Sequence, residues 1–348
     1  MAKQADRHAA RTDRGRSCRR ANGRQALLPL LLSATPLVGG QAVMEGVMMR
    51  NGGVYAIALR QPDGDIAVER RPWFSLTNNP VLRQPFLRGF PILIETLVNG
   101  IRALNRSAAV AAKTDDEELS GWSLFLTLCV SLALAVGLFV VAPHLLSLLM
   151  KELGMGGDVE GLSFHLWDGL FKFIIFISYI VFITLVPDIR RVFRYHGAEH
   201  KIIHAFESDG EISAEAAARF SRLHPRCGTT FLLFVLSIAI ILHTVLVPAF
   251  LMFWTPEGAP AKHAATLCFK LALMIPISAL AYELIRYAAR LEGSVLGPIL
   301  RAPGMFLQLL TTWEPDREQL EVAVAALAGA LGPETPPRLK MPPRVFFS

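Results

Sequence analysis

SLFLTLCVSLALAVGLFVVAPHLLSLLM, residues 123–150, holds no Asp, Glu, Lys or Arg. A helix needs about 20 mainly apolar residues to cross a bilayer core, so this run can span one with tilt to spare. Three more runs follow: Gly169–Pro187, interrupted by Lys172 near its start; Thr229–Trp254, free of charge; and Ala264–Ile285, with Lys270 near one end and Glu283 near the other. A single run of this kind fits a buried core helix equally well. Four in one chain predict a mainly α, polytopic membrane protein with four transmembrane helices. Lys172 is expected to snorkel to the interface.

Composition agrees. The chain is 52% hydrophobic and 18% charged, against about 25% charged in an ordinary soluble domain. The formal charge of +6 does not argue for nucleic acid as a partner, because the basic residues fall in blocks that carry topological information. Residues 151–168 have one Lys and four acidic residues, and 255–263 have one Lys and one Glu. Residues 188–228 have seven basic residues, and both ends of the chain are basic. Basic loops stay in the cytoplasm, so the termini and the 188–228 loop are expected inside, in an inner membrane. Cys18, Cys129, Cys227 and Cys268 form no CxxC and imply neither a disulfide framework nor a Cys-rich zinc site.

Outward from the spans, residues 1–36 read as a basic disordered tail. Arg-rich residues 1–25 before apolar Ala26–Ala34 also resemble a signal peptide with a short h-region, but Pro29 interrupts it. Residues 37–120 read as a small cytoplasmic α+β region. Val54–Arg60 and Asp65–Arg70 are β-prone, and Gln61-Pro-Asp-Gly64 supplies the turn of a hairpin. A strand over Gly40–Arg50 precedes it. Residues 81–112 place Leu87, Phe90, Ile94, Leu97, Val98, Ile101 and Leu104 at helical spacing, with Arg83, Arg88, Arg102 and Arg106 beside them. That suits a membrane-surface helix or a helix packed on the sheet. Thr114–Ser120 is an acidic linker, and spans one and two occupy 121–187. Within the 188–228 loop a helix is expected from Pro187 to Glu207, and a second, capped by Ser213, over Ala214–Leu223. Spans three and four occupy 229–286. An interfacial segment and a C-terminal helix (Asp316–Leu331) fill 287–331, and 332–348 is a Pro-rich tail expected to be disordered.

Chemistry concentrates in Tyr195-His-Gly-Ala-Glu-His-Lys-Ile-Ile-His204. His196, His200 and His204 fall at i, i+4 and i+8, on one helical face. His196-x-x-Glu199-His200 matches the inverted zincin pattern, in which two His bind zinc and the Glu activates water. Gly197 is a poor helix residue, which would loosen that geometry. His224-Pro-Arg-Cys227 lies at the mouth of span three, and His and Cys are both good zinc or iron ligands. The candidate metal ligands are therefore His196, His200, His204, His224 and Cys227, for a divalent metal with zinc first; Glu199 and Glu207 are nearby carboxylates. The bland reading is histidines bonded to lipid phosphates or to glutamates. Gln41-Ala-Val-Met-Glu-Gly-Val-Met-Met-Arg50 is either a Gly-rich strand and turn or a segment that brings Glu45 and Arg50 to the His cluster, with Glu45 a second candidate base beside Glu199. Glu283, within a hydrophobic span, is a functional candidate by default; an ion pair with Arg286 or Arg290 also accounts for it.

Four strings together carry a resemblance: Gly39-Gly-Gln-Ala-Val-Met-Glu-Gly-Val-Met-Met-Arg50, Tyr195–His204, His224-Pro-Arg-Cys-Gly228, and Leu310-Thr-Thr-Trp-Glu-Pro315 followed by Glu321-Val-Ala. Over residues 38–330 the chain resembles the YqhQ family, bacterial membrane proteins of unknown function at times described as predicted metal-dependent enzymes. The resemblance implies no established activity. Two functions then stand side by side. One is a metal-dependent hydrolase acting at the inner leaflet, with membrane lipids as partners. The other is a non-enzymatic transporter or a lipid- or partner-binding scaffold, in which four spans without a repeat call for a homo-oligomer. In a third version the cluster is a structural metal clamp.

Overall fold

The computed structural model describes residues 38–111, 121–291 and 294–347; the basic tail, Cys18 and the expected linker at 114–120 lie outside them. Four antiparallel strands open the described chain: β1 (Val38–Val43), β2 (Gly46–Asn51), β3 (Val54–Arg60) and β4 (Ile66–Pro72). The single strand expected over Gly40–Arg50 is in fact a hairpin. Glu45 takes φ +52°, the left-handed region that a two-residue hairpin turn requires, and the chain reverses over Met44–Glu45 between paired Val43 and Gly46.

Period-two alternation then divides the sheet's side chains between two cores. Val47, Met49, Ala56, Ala58, Ile66 and Val68 face one way, with Tyr195, Ala198, Ile202 and the C-terminal helix. Met48, Tyr55, Ile57 and Leu59 face the other, with Trp73, Ala103 and Val110. Ala103 and Val110 belong to α1 (Gly89–Ala111), so this helix packs on the sheet, while its Leu97 and Leu104 stay exposed. It starts eight residues later than its apolar spacing suggests, because Phe86 sits at φ +63° and residues 76–88 run as turns.

Four helical stretches are long and apolar enough to cross a membrane, over Gly121–Glu152, Leu162–Ile183, Gly228–Phe253 and Ala259–Ala288. Large apolar side chains such as Phe125, Leu132, Ile241 and Phe253 point outward, as lipid contact requires. The first stretch comprises α2 (Gly121–Val136), a π-turn at Gly137–Val141 and α3 (Ala142–Glu152); Pro143 lacks the N–H that the regular ladder needs there. The second is α4 (Leu162–Ile183). It begins seven residues before the expected Gly169, which carries Lys172 deep into the helix: the side chain is buried against Asp168 and does not snorkel. Helix α5 (Pro187–Glu207) matches its expected bounds, with Pro187 in the first turn. Ser213 caps a helix, but α6 runs only over Ala214–Ala217. The third span is α7 (Gly228–Phe253). The fourth divides at Leu273 into α8 (Ala259–Ala272) and α9 (Met274–Arg290), because Pro276 has no N–H for the carbonyl one turn back. Glu283 pairs with Arg88 at 2.7 and 2.8 Å, not with Arg286 or Arg290, and thereby ties the fourth span to the start of α1.

Helix α10 (Leu296–Thr311) packs on the spans despite Pro303. Helix α11 (Arg317–Leu331) opens with a capping box, in which Asp316 accepts from the Gln319 amide and Gln319 Oε1 accepts from the Asp316 amide. The apolar residues recur along it at regular helical spacing, but burial is not confined to one face: Val322–Leu331 are buried on every side, between the sheet and α5. Its alanines let the flanking layers approach closely. The Pro-rich tail is ordered rather than disordered. It pairs with Ile212 through the Arg338 carbonyl and the Lys340 amide, and Val345–Phe347 adds a fifth strand, β5, parallel to β4.

Candidate metal centre

Helix α5 is amphipathic by spacing, so one face sinks into the sheet core and carries its histidines along the next face. Ring centroids run in a row: His196 to His200 4.5 Å, His200 to His224 5.6 Å, and His224 to His204 4.6 Å. Cys227 closes the row at one end, with Sγ 3.2 Å from His196 Nε2. It is the N-cap of α7, where its sulfur faces the Thr229 amide and hydroxyl. The row resolves into two groups. Ligand atoms of His196, His200 and Cys227 lie within 4.8 Å of one another, and those of His204, Glu207 and His224 do likewise.

The first group has the attributes of a metal site. His196 Nδ1 lies 2.9 Å from the Thr311 carbonyl and His200 Nδ1 2.6 Å from the Arg222 carbonyl. A carbonyl can only accept, so both Nδ1 atoms carry protons, and in the neutral tautomer this selects, Nε2 keeps the lone pair, the arrangement by which zinc proteins orient a ligand. His200 Nε2 and Glu199 Oε2 are buried and have no hydrogen-bond partner within the protein. A buried polar atom left this way is costly, and a cation held by His196, His200 and Cys227 would satisfy the first of them. The edges of a tetrahedral N/S zinc site are about 3.3–3.8 Å, close to the 3.2 Å between His196 Nε2 and Cys227 Sγ.

Electrostatics prepares the same groups. Burial holds the His200 imidazole far below its usual range, with His196 adding to the effect, so it is neutral and able to ligate. Burial pushes the Cys227 thiol up against the pull of Thr229. Glu199 is raised to about 8 by burial, with His196 opposing. Its carboxylate accepts from the Gly40 amide, and a Cβ on Gly40 would stand 2.9 Å from its Oε1, so only glycine lets β1 approach this closely.

In the second group, burial lowers His224 to about 4 and also lowers His204. His224 Nε2 faces Glu207 Oε2 at 3.6 Å, while Arg226 pairs with the same carboxylate. His204 Nε2 lies 3.0 Å from the Leu223 carbonyl, to which it donates. These contacts account for each side chain without a cation. Glu45 is brought to neither group; its carboxylate pairs with Arg191 and accepts from Tyr195. Arg50 stacks on Trp73, 4.0 Å from the ring. The Gly39–Arg50 segment therefore reaches the cluster through Gly40 rather than through its charged residues.

Three residues that the spacing rules passed over build the rest of the site. Gln308 clamps the His224 backbone, accepting from its amide at 2.8 Å and donating to its carbonyl at 2.9 Å. Thr311 and Arg222 supply the carbonyls that orient the imidazoles. The signal available in the sequence was the Leu310–Pro315 string, which lies against the histidines. Gly197, suspected of loosening the helix, instead admits that string: a Cβ there would lie 2.0 Å from the Trp313 carbonyl. Helix propensity favours Gly197→Ala by about 1 kcal/mol, but the clash costs about 1–3 kcal/mol. We expect the variant to melt below the parent protein in a thermal scan; a higher midpoint would contradict this packing.

The sequence of residues 84–332 matches the family described as "Protein of unknown function (DUF1385)". The "Uncharacterized protein YqhQ" of Bacillus subtilis (strain 168) is 32% identical over 306 residues, which cover 83% of this chain and 90% of that protein. No solved structure matches the chain.

Proposed function

We propose that this chain, which belongs to the DUF1385 family of proteins of unknown function, is a metal-dependent hydrolase working at the cytoplasmic face of a bacterial inner membrane, with zinc the first choice of metal. The observation that carries the reading is the convergence of His196 Nε2, His200 Nε2 and Cys227 Sγ, both imidazoles being oriented by backbone carbonyls. His196, His200 and Cys227 would hold the ion, which when bound would act as a Lewis acid and make a nearby water more acidic. Glu199, held in its carboxylate form by the charge of a bound ion beside it, would take the proton of that water at Oε2, the oxygen with no partner of its own, and pass it to the leaving group. Gly40 keeps the carboxylate in place. The apolar walls contributed by Tyr195, Ala198 and Ile202 keep bulk water from the buried side of α5.

The seven basic residues of 188–228 support placing this face, and both termini, in the cytoplasm. The substrate would then be a membrane-associated molecule reached from the inner leaflet. A structural clamp is the second reading, favoured by the origin of the ligands: α5 belongs to the sheet module and Cys227 to the start of the third span, so an ion would bind the two together.

The first test is elemental. Purified protein should carry stoichiometric metal, and His200→Ala should carry almost none. Metal near zero in both overturns the site. If removing the metal abolishes cooperative folding, the clamp is right and hydrolysis is not needed to explain the cluster.

A further inference from the structure

A second polar cluster lies among the spans, well away from the histidines of α5. Asp168 of α4 accepts from Lys270 of α8 at 2.7 Å and from Lys172, one turn on, at 3.1 Å. All three side chains are almost wholly buried. Lys172 Nζ is 3.1 Å from His243 Nδ1 of α7, and Lys270 Nζ is 3.4 Å from His144 Nδ1 of α3. His144 Nε2 is 3.0 Å from His263 Nδ1. His263 is only half-buried, one turn into α8. Beside it Lys262 pairs with Glu160, and Lys151 with Asp158, across the 151–160 loop. His165, the remaining titratable group, donates from Nε2 to the Val159 carbonyl at 2.8 Å.

Two features stand out. Among the described residues two ammoniums share one carboxylate, which leaves an excess positive charge in a region where charge is expensive. The hydrogen bonds also form a continuous file from the half-exposed rim at His263, through His144 and Lys270, to Asp168, Lys172 and His243. Beyond that point the file meets Phe176, Ile180, Leu236 and Leu307, an apolar layer separating it from the α5 cluster. A polar path open at one end and closed by hydrocarbon at the other can admit and hold a proton but cannot conduct one across.

We propose that Lys270, set against Asp168, is a proton-binding site within the spans, loaded and emptied through His144 and His263 from the face that carries the 151–160 loop. In the loaded state both lysines are ammoniums. On release, the Lys270 ammonium gives a proton to His144 Nδ1, the His144 Nε2 proton moves to His263 Nδ1, and the His263 Nε2 proton leaves to water. Lys270 becomes a neutral amine, both imidazoles stay neutral with their tautomers exchanged, and the cluster's net charge falls by one. Loading is the same series reversed and restores the tautomers. No electron moves and no other reactant is needed. Asp168⁻ and Lys172⁺ then remain as a balanced pair.

The test is a titration of the lysine side-chain nitrogens by NMR, on 15N-lysine-labelled full-length protein in liposomes. Lys270→Arg and Lys172→Arg assign the two signals. The Lys270 signal should move from the ammonium to the amine position as pH is raised, while that of Lys172 stays put. His144→Phe should leave this end point unchanged but slow proton exchange by about 100-fold; His263→Phe, at a partly exposed position, gives the same readout if His144→Phe does not fold. If no lysine signal of the labelled parent protein leaves the ammonium position before the exposed lysines begin to titrate, the proposal is overturned, and that outcome needs no variant to fold. So does exchange at the parent rate in the histidine variants.

Discussion

Cobalt(II) added to the purified protein should produce a thiolate-to-metal charge-transfer band, and Cys227→Ser should abolish it. The expectation follows from three contacts. Cys227 Sγ lies 3.2 Å from His196 Nε2, and both share a donor set with His200 Nε2. With their Nδ1 protons committed to the Thr311 and Arg222 carbonyls, the neutral imidazoles offer Nε2 lone pairs to a metal. Cobalt occupies the same kinds of N/S sites as zinc, and the charge-transfer band reports sulfur directly. Losing a ligand should weaken metal binding by at least about 100-fold, since even partners outside the ligand sphere are worth 10–100-fold. Glu199→Gln should keep the band, because the carboxylate stands beside the ligands and is not one of them here. Identical spectra with and without Cys227 would remove the sulfur from the site, and would leave the His204–His224 group as the alternative place for a cation.

Asp168→Asn should be the most damaging single change among the four long apolar helical stretches. One carboxylate accepts from both Lys172 and Lys270, whose side chains are 4% and 0% exposed. Removing its charge strands two ammoniums among apolar helices. Breaking a buried ion pair by deleting one partner typically costs about 3–5 kcal/mol. The damage should show as a large fall in thermal midpoint or as failure to stay monodisperse in detergent. The double variant Asp168→Asn/Lys172→Met should recover part of the loss, because it removes one stranded charge and replaces it with a side chain of similar length. A double variant no more stable than the single one would mean that the carboxylate acts through packing rather than charge.

The histidines were legible in the sequence because helical periodicity is local. Once Tyr195–His204 is read as a helix, His196, His200 and His204 share a face, and α5 runs over the bounds so expected. The division of the ligands into two groups was not legible. It depends on the rotation of α5 against the Cys227 cap of α7 and on carbonyls supplied by Arg222, 22 residues from His200, and by Thr311, 115 residues from His196. Glu45 and Glu199 looked alike as candidate bases. Only the hairpin turn at Met44–Glu45 decided that Glu45 would face Arg191 while the strand's Gly40 faced Glu199. Gly197 was read as a flaw because propensity scales carry no information about a neighbouring backbone, here that of Trp313.

By itself the sequence determined four apolar stretches long enough to span a membrane, since length and hydropathy are properties of contiguous residues that no packing can alter. It also determined the His-bearing helix and the hairpin around Pro62–Gly64. Tertiary structure alone decided that the sheet is not an N-terminal domain of its own. Its second face is covered by α5 and by the Ala-rich α11 from the other end of the chain, whose regular apolar spacing understates its all-round burial. Tertiary structure likewise decided that Lys172 and Lys270, each an isolated irregularity in an apolar run, and Asp168, counted with the acidic loop before the second run, belong to one cluster. Charges on different helices declare themselves as partners only when the helices are side by side, and among apolar side chains that pairing is what makes them tolerable.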